Sequence, residues 1–402
     1  MSLRKNKFFF IYILDISFSN FGYTLYMITI PAYSFLLGRG IIFTGITLFV
    51  EYGIFTLTFL FGSIVDRMKD KRHLIVGSKI GLFITAFVMG LFILSKSSNQ
   101  VIFLLLVAIL AVLWDIIWAA DYTVIPLIVS QEEIGRANGY VHAMGSSHVA
   151  AGLAVGGFLF IFIGPYGSII LYSVCMLLSG ILSSFIPLIV EKGSKRHSEG
   201  FFYGWKYVFT GNRTLLMLSL VLVVFAFFSI VPVEGITDIF VSSSTFWYTV
   251  MFSSYYIGSI IAGITLGSFF PKRNTGKVLI ASLSVSGLLM FLSVNLHFYY
   301  LPDMAMWLLL GFNFRMYTTL YSSYLQSTTE KELIGRTASN LYLFRGLSAA
   351  VGAIYLPFFI SEYGLLNSFE YFGVFIIAAA LVIAIFAPSI RNMSMSVKPE
   401  SN

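Results

Sequence analysis

Two carboxylates, Asp115 and Asp121, stand in the stretch VLWDIIWAADY, which otherwise reads as buried hydrocarbon. A charge at the middle of a bilayer costs at least about 2.5–3.5 kcal/mol, so such a residue is expected to face protein or water and to have a partner. The same reasoning applies to every charged residue inside a long apolar run. Those residues are Asp15, Glu51, Lys79, Asp115, Asp121, Arg315 and Arg345.

The composition indicates that these apolar runs lie in a membrane. Hydrophobic residues make up 58% of the 402 residues and charged residues 11%. In soluble domains about half of the residues are apolar and about a quarter are charged. Twelve runs of about 20 residues or more could each cross the hydrocarbon core as a helix, which predicts an all-α integral membrane protein with twelve transmembrane helices. The approximate spans are 8–34, 41–65, 74–94, 101–125, 137–163, 167–190, 214–233, 244–270, 277–297, 302–325, 338–361 and 366–388.

The basic residues predict the orientation of the spans. Most of the 25 Lys and Arg residues fall on the two ends of the chain and on the connections after spans 2, 4, 6, 8 and 10, while Arg39 and Lys96 fall on the other side. Cytoplasmic connections are enriched in Lys and Arg, so both termini are expected in the cytoplasm, with the protein multi-pass in the cell membrane. The net charge of +7 then reports topology and does not indicate a nucleic-acid partner.

The chain divides into two similar halves. A long polar connector, 191–213, separates a predicted six-helix bundle at 1–190 from another at 214–390, which a tail follows at 391–402. The aromatic residues of this connector suit a short amphipathic helix at the membrane surface. EEIGRANG after span 4 matches KELIGRTA after span 10, so that Gly135 corresponds to Gly335. Parallel six-helix repeats are typical of transporters, with a substrate site near mid-membrane between the halves.

The connection after span 2 carries GSIVDRMKDKR, in which Gly62, Asp66, Arg67 and Lys71 match the G-x-x-x-D-R-x-G-R-R of the major facilitator superfamily. The chain resembles that family along essentially its whole length. The resemblance implies two pseudo-symmetric six-helix bundles that rock about a central cavity, with a cytoplasmic gate at this connection. The alternative is that these charges only set the orientation of the spans. Further charges assigned to the gate are Asp121, Arg136, Lys272, Arg273 and Arg336.

Span 5 carries a series of glycines, Gly139, Gly152, Gly156 and Gly157. Their spacing is similar to the glycine motif of the family's proton-coupled exporters, and IPLIVSQEEIGRANG is similar to the branch that exports macrolides and siderophores. Small residues four apart also serve ordinary helix packing, and this alternative stays open.

Asp115 and Arg315 are the predicted functional centre. Asp115 lies about 21 Å into span 4, and the offset between the halves pairs it with Arg315 on span 10. The resemblance implies that spans 1, 4, 7 and 10 line the cavity, so the opposite charges would face each other. One interpretation is that Asp115 binds protons or substrate and couples them to the conformational switch. The other is a static ion pair.

Other residues of the spans extend this centre. Asp15, Glu51 and Arg345 are further candidates for substrate or proton coupling, with Arg345 as a potential partner of Asp15; for Glu51 a structural hydrogen-bonding role is the alternative. Lys79 is expected to extend its amine to water at the cytoplasmic end of span 3, without a function. Cavity candidates, for which packing or interfacial anchoring is the alternative, are Asn20, Trp118, Tyr122, Asn313, Tyr317 and Tyr321.

These features predict a secondary transporter that exports a small amphipathic or drug-like substrate in exchange for protons, as a monomer surrounded by lipid. The alternative is a nutrient-uptake permease or an uncoupled facilitator of the same fold. The sequence has no GxxxxGK[ST] motif, so a gradient is the expected energy source. No enzymatic activity, cofactor or metal is expected: His142 and His148 stand about 120° apart on a helix, unlike an i,i+4 pair of metal ligands.

Overall fold

A computed structural model of the chain describes residues 6–57, 60–61, 70–121, 124–129, 134–188, 213–228, 245–268, 274–296, 300–328 and 334–394. We number its helices in chain order. They are α1 (Lys7–Gly38), α2 (Ile41–Phe55), α3 (Lys71–Leu94), α4 (Gln100–Asp121), α5 (Val124–Ile128), α6 (Ile134–Ser184), α7 (Arg213–Phe228), α8 (Thr245–Ser268), α9 (Thr275–Leu296), α10 (Tyr300–Thr328), α11 (Ile334–Tyr363), α12 (Leu365–Phe386) and α13 (Pro388–Arg391).

The helices have the length and surface of membrane spans. Within the described residues, seven helical segments are long and apolar enough to cross a bilayer. Large apolar side chains cover their outer faces, with Ile84, Leu105 and Phe386 being 53%, 58% and 76% exposed. Such a surface is stable against lipid and unstable against water, so the protein is an all-α, multi-pass membrane protein. The count of twelve spans stays a prediction.

Local signals set the helix ends that position the interior residues. The Asp70 side chain caps α3 by accepting a hydrogen bond from the backbone N–H of Arg72 at 2.9 Å. Inside α6, Gly164 has a φ of 66°, and Pro165 follows it. A positive φ is accessible to glycine and stops the helical ladder, so α6 consists of two arms. This break confirms the predicted boundary between the spans 137–163 and 167–190.

The described residues divide into two compact units. The first lies within Met1–Ser198, Pro232–Thr249 and Tyr342–Pro357. In it α1 packs against both arms of α6, while α3 packs on α6 and α4, and α2 on α1 and α4. The centre of this unit is filled by side chains that are at most 1% exposed, such as Tyr26, Leu82, Leu110 and Tyr172.

The second unit lies within Glu199–Val231, Val250–Leu341 and Phe358–Asn402. In it α9 packs on α10 and α12, α10 contacts α7, and the short α13 rests on α7, α9 and α12. The predicted connector 191–213 lies, apart from Arg213, outside the described residues. The predicted bundle boundaries therefore stay predictions.

Candidate functional site

A buried ion pair joins α1 to α3 in the first unit. Lys79 Nζ lies 2.5 Å from Asp15 Oδ1, and both side chains are only 2% exposed. The lysine also donates to Ser183 Oγ at 2.9 Å, and Ser183 donates to Asp15 Oδ2 at 2.7 Å. Ser179 donates to Asp15 Oδ1 and lies 2.7 Å from Ser19 Oγ. We call these five residues the charge cluster.

The charge cluster changes two interpretations of the sequence. Lys79 was expected to extend toward water, and this is wrong: its amine points into the protein, where the Asp15 carboxylate replaces the lost hydration. The sequence offers Arg345 as a potential partner of Asp15, whereas the ion pair that the structure forms is with Lys79. Arg345 lies half-buried on α11.

Asp121, the last residue of α4, adds a second acid beside the charge cluster. Lys79 and Asp15 are its principal electrostatic neighbours, and Tyr12 of α1 is within range of both acids. Asp121 is partly buried, whereas Asp15 and Lys79 are inaccessible. The carboxylates of Asp15 and Asp121 thus share the ammonium group of Lys79. Asp121, the more exposed of the two, lies at the edge of the charge cluster.

Glu51 meets a second group of buried polar atoms, further along α1 at Tyr26. Its carboxyl faces the Tyr26 hydroxyl and is within electrostatic range of Tyr172. The rings of Tyr26 and Tyr172 lie 5.6 Å apart, and Trp114 of α4 approaches the Tyr172 hydroxyl with its indole N–H. The hydroxyls of both tyrosines and the Trp114 Nε1 atom lack a hydrogen-bond partner closer than 3.5 Å in the described part of the chain. We call Glu51, Tyr26, Tyr172 and Trp114 the polar cluster.

Asp115 follows Trp114 on α4 and is 4% exposed. The structure thus confirms that its carboxyl lies inside protein, as the cost of a charge in lipid requires. Trp118 is 44% exposed, with its ring 6.2 Å from that of Phe55 in an edge-on contact. Asn20 is partly buried on α1 beside Gly145. Tyr122, assigned to the cavity, lies outside the described residues.

In the second unit Arg315 lies half-buried on α10, where Tyr256 of α8 is within its electrostatic range. Asn313 donates to the Leu309 carbonyl of its own helix at 2.8 Å. Tyr317 is 1% exposed, and its hydroxyl donates to the Leu218 carbonyl of α7 at 3.1 Å.

Tyr321 is 8% exposed, and its hydroxyl lies 3.5 Å from Ser219 Oγ of α7. For Tyr317 and Tyr321, these contacts favour helix packing over a place in a cavity.

The glycines of α6 form a close seam with α1. A Cβ atom on Gly152 would lie 2.9 Å from Thr24, and one on Gly156 would lie 2.9 Å from Ile28. Such distances are too short for an alanine without movement of a neighbour, so these glycines permit the helices to approach. This supports helix packing as one role of the motif. The side chains at 139 and 157 are not described.

Of the predicted gate, the structure describes only part. Lys71, the first residue of α3, is 7% exposed, and its backbone N–H donates to the Leu188 carbonyl at 3.1 Å. The neighbouring Asp70 is bonded locally, to Arg72 at 3.4 Å and His73 at 3.0 Å. Arg136 and Arg336 lie in the first turns of α6 and α11, without described side chains. The remaining gate residues, Gly62, Asp66, Arg67, Lys272 and Arg273, lie outside the described residues.

His148, one of the two histidines weighed as metal ligands, hydrogen-bonds within its own helix, where Nδ1 lies 2.6 Å from the Met144 carbonyl. No group of three His, Cys, Asp or Glu side chains with metal-binding geometry occurs among the residues that the structure describes.

Sequence reasoning missed Lys79, Ser179 and Ser183, although one signal was available. Asp15 and Lys79 each lie eight residues after the start of their helices, α1 and α3. Both are thus about 12 Å deep along parallel spans, and a lysine at the depth of an aspartate is a candidate partner. Tyr26 and Tyr172 carry no comparable signal, because tyrosines are common in apolar spans.

A family model described as the Major Facilitator Superfamily matches residues 9–353 of the chain. No curated protein matches this chain. Among solved structures, a mutant of the nucleoside transporter NupG has a TM-score of 0.75 at 12% identity, with 96% of this chain and 100% of that chain covered.

A POT family transporter in complex with a thioalcohol-conjugated peptide has a TM-score of 0.75 at 11% identity, with 95% and 96% covered. A bacterial homologue of the human lysosomal transporter Spinster, inward-facing and unoccupied, has a TM-score of 0.61 at 13% identity, with 95% of each chain covered. At such identities the likeness shows the fold.

Proposed function

Because the chain belongs to the major facilitator superfamily, we propose that it is a secondary transporter that exports a small amphipathic compound in exchange for protons. The observation that carries the proton coupling is the burial of Asp115, which is 4% exposed and lies six residues before the end of α4. A carboxyl held inside protein at this depth changes its charge at a large energetic cost, so its protonation can be linked to a conformational change.

The proposed cycle assigns one role to each acid of α4. Asp115 takes up the proton, and Arg315, its counterpart in the repeat, supplies the opposite charge when the proton leaves. Asp121 acts in the cytoplasmic gate, as does the connection around Asp66 and Arg67. Support for a separate role of Asp121 comes from its neighbours, because it lies beside Lys79 and Asp15. Its charge therefore influences how α1, α3 and α4 are held together.

The proposed substrate is chosen on the aromatic side chains that the sequence predicts to line the cavity. Aromatic side chains such as Trp118, which is 44% exposed, bind flat apolar or cationic compounds by stacking and cation–π contacts. The similar structures include a nucleoside transporter and a transporter in complex with a conjugated peptide, and nucleosides and peptides serve as competing ligands in the assay. We propose that both termini lie in the cytoplasm and that a monomer in the cell membrane is the working unit.

Reconstituted liposomes with an imposed pH gradient test this proposal. Efflux of a lipophilic cationic dye should follow the gradient in the wild type, and Asp115→Asn should abolish that dependence while leaving the protein folded. Glu362→Gln, which removes an exposed carboxyl at the end of α11, is the matched control and should transport normally. Asp121→Asn should instead alter the proportion of inward-open and outward-open protein, measured by accessibility of introduced cysteines.

The assay also decides between this proposal and its alternative. Flux that ignores the pH gradient in both wild type and Asp115→Asn would establish an uncoupled facilitator. Uptake of nucleosides or peptides driven by the gradient, without dye efflux, would establish a nutrient permease.

A further inference from the structure

The polar cluster gathers side chains from four helices of the first unit around Glu51. Tyr26 comes from α1, Glu51 from α2, Trp114 from α4 and Tyr172 from the second arm of α6. Tyr26 and Tyr172 are 1% and 0% exposed, while Glu51 is only partly buried. The cluster therefore has an accessible acid at its edge and hydroxyl groups behind it.

The atoms of the polar cluster are close to one another but do not complete their hydrogen bonds. Trp114 Nε1, Tyr172 Oη and Tyr26 Oη are all buried without a partner within 3.5 Å among the described residues, and so is Thr29 Oγ1, one turn beyond Tyr26 on α1. Buried polar atoms of proteins are nearly always bonded, either to protein or to ordered water. Two of these hydroxyls, on Tyr26 and Tyr172, lie within electrostatic range of the Glu51 carboxyl, and such a group of unbonded atoms is unlike ordinary packing.

The chemistry of these atoms favours water and a proton over a metal cation. Water binds in protein interiors where two to four polar groups converge, and hydroxyls can both donate to it and accept from it. The Trp114 indole can only donate, so it cannot ligate a cation and repels one. A carboxyl at the end of a chain of hydroxyls can bind a proton and exchange it along that chain.

We propose that Glu51 is a proton-binding site whose proton is held by a buried, hydrated relay through Tyr26, Tyr172 and Trp114. The proton-binding carboxyl proposed here is that of Glu51 and not that of Asp115, which follows Trp114 on α4. Its role in the transport cycle rests on the proposed proton coupling, because a second protonatable carboxyl is useful only to a transporter that moves protons. The binding of the proton by itself does not depend on that function.

Infrared spectroscopy of the purified protein in detergent tests the site without substrate or gradient. Lowering the pH should produce a carboxylic acid C=O band that Glu51→Gln removes. Tyr26→Phe should move the midpoint of this titration toward higher pH by about one unit, because the carboxylate loses the hydroxyl that faces it and that would donate to it through the relay water. Tyr33→Phe, a substitution on the same helix at a half-buried ring against Phe103, should leave the band and its midpoint unchanged.

The relay has its own readout, which stays informative if Glu51→Gln does not fold. An internal-water O–H band that shifts in H₂¹⁸O should be lost in Tyr172→Phe. The thermal midpoint of Tyr172→Phe should also fall, because a hydroxyl bound to water contributes to stability. A rise would show that the hydroxyl is merely unbonded, and would overturn the relay.

Three further outcomes would overturn the proposal. They are a carboxyl band that persists in Glu51→Gln, a midpoint that does not move in Tyr26→Phe, and a midpoint that depends on sodium when choline chloride is exchanged for sodium chloride. If the Glu51 band is found but flux ignores the pH gradient, the site stands and only the proposed coupling fails.

Discussion

Removing the cation of the charge cluster while keeping its anion is a direct test of the first unit. The substitution Lys79→Met preserves the length and apolar character of the stem and deletes the ammonium group. Asp15 would keep its bonds from Ser179 and Ser183, but its charge would remain 2% exposed without the amine that lies 2.5 Å away. Asp121 would lose its nearby cation as well.

The expected loss of stability is large because the Asp15 carboxylate is buried and no water can replace the amine that it loses. Breaking a buried ion pair by removing one partner costs about 3–5 kcal/mol, most of which is the desolvation of the charge left behind. In a chain of this size that loss corresponds to a fall of roughly 4–6 °C in the thermal midpoint. Replacing both charges, in Lys79→Met with Asp15→Asn, should recover most of the loss, because the amide oxygen can accept from one serine and the amide NH2 can donate to the other without a net charge.

Thermal unfolding of purified protein in detergent, followed by intrinsic fluorescence, measures all three variants. Lys277→Met removes an exposed lysine of α9 and is the matched control, with an expected change within about 0.5 kcal/mol. If Lys79→Met is no less stable than Lys277→Met, or if the double variant is less stable than Lys79→Met, the buried pair does not hold α1 to α3 and the reasoning is refuted.

Two further substitutions test the packing of each unit. Gly152→Ala should lower the thermal midpoint, because its Cβ would lie 2.9 Å from the Cβ of Thr24, whereas Gly77→Ala on α3, where an added Cβ meets no atom within 4 Å, should not. Tyr317→Phe should cost about 1 kcal/mol of unfolding free energy through the lost bond to the Leu218 carbonyl. It should leave the KM of dye transport unchanged. A raised KM would instead support the prediction that Tyr317 lines the substrate cavity.

The fold was predictable where it depends on local chemistry. Apolar runs of about 20 residues predict spans because backbone groups in lipid must bond within their own helix. The break at Gly164 and Pro165 was also predictable, because a glycine followed by a proline cannot continue the hydrogen bonds of a helix.

The partners of the buried charges depend on tertiary packing and were only partly predictable. The sequence predicts that Asp15 needs a basic partner at a similar depth in the membrane. Arg345 and Lys79 both meet that condition. Which residue bonds to Asp15 depends on the rotation of α3 about its axis, and that rotation is fixed by packing against α4 and α6. A lysine near a helix end can equally extend outward, so its position alone does not distinguish the two outcomes.

Helix α1 explains why the charge cluster and the polar cluster occur in the same unit. Its residues Asp15, Ser19, Gly22 and Tyr26 recur every three or four positions, so they share one face. That face meets the second arm of α6 in descending order, at Ser183, Ser179, Cys175 and Tyr172.

A neighbouring face of α1 meets the first arm in ascending order, where Thr24 lies against Gly152 and Ile28 against Gly156. Since the chain reverses at Gly164, α1 is parallel to one arm and antiparallel to the other.

This arrangement separates the two clusters along α1. Asp15 and Tyr26 are eleven positions apart on the helix, which is about 16 Å at 1.5 Å per residue. Substitutions that far apart and without shared partners change stability additively. Lys79→Met should therefore leave the Glu51 titration where it is in the wild type. A shift of that titration would mean that α1 moves as a rigid body between the clusters, so that the charge at one end is coupled to the proton at the other.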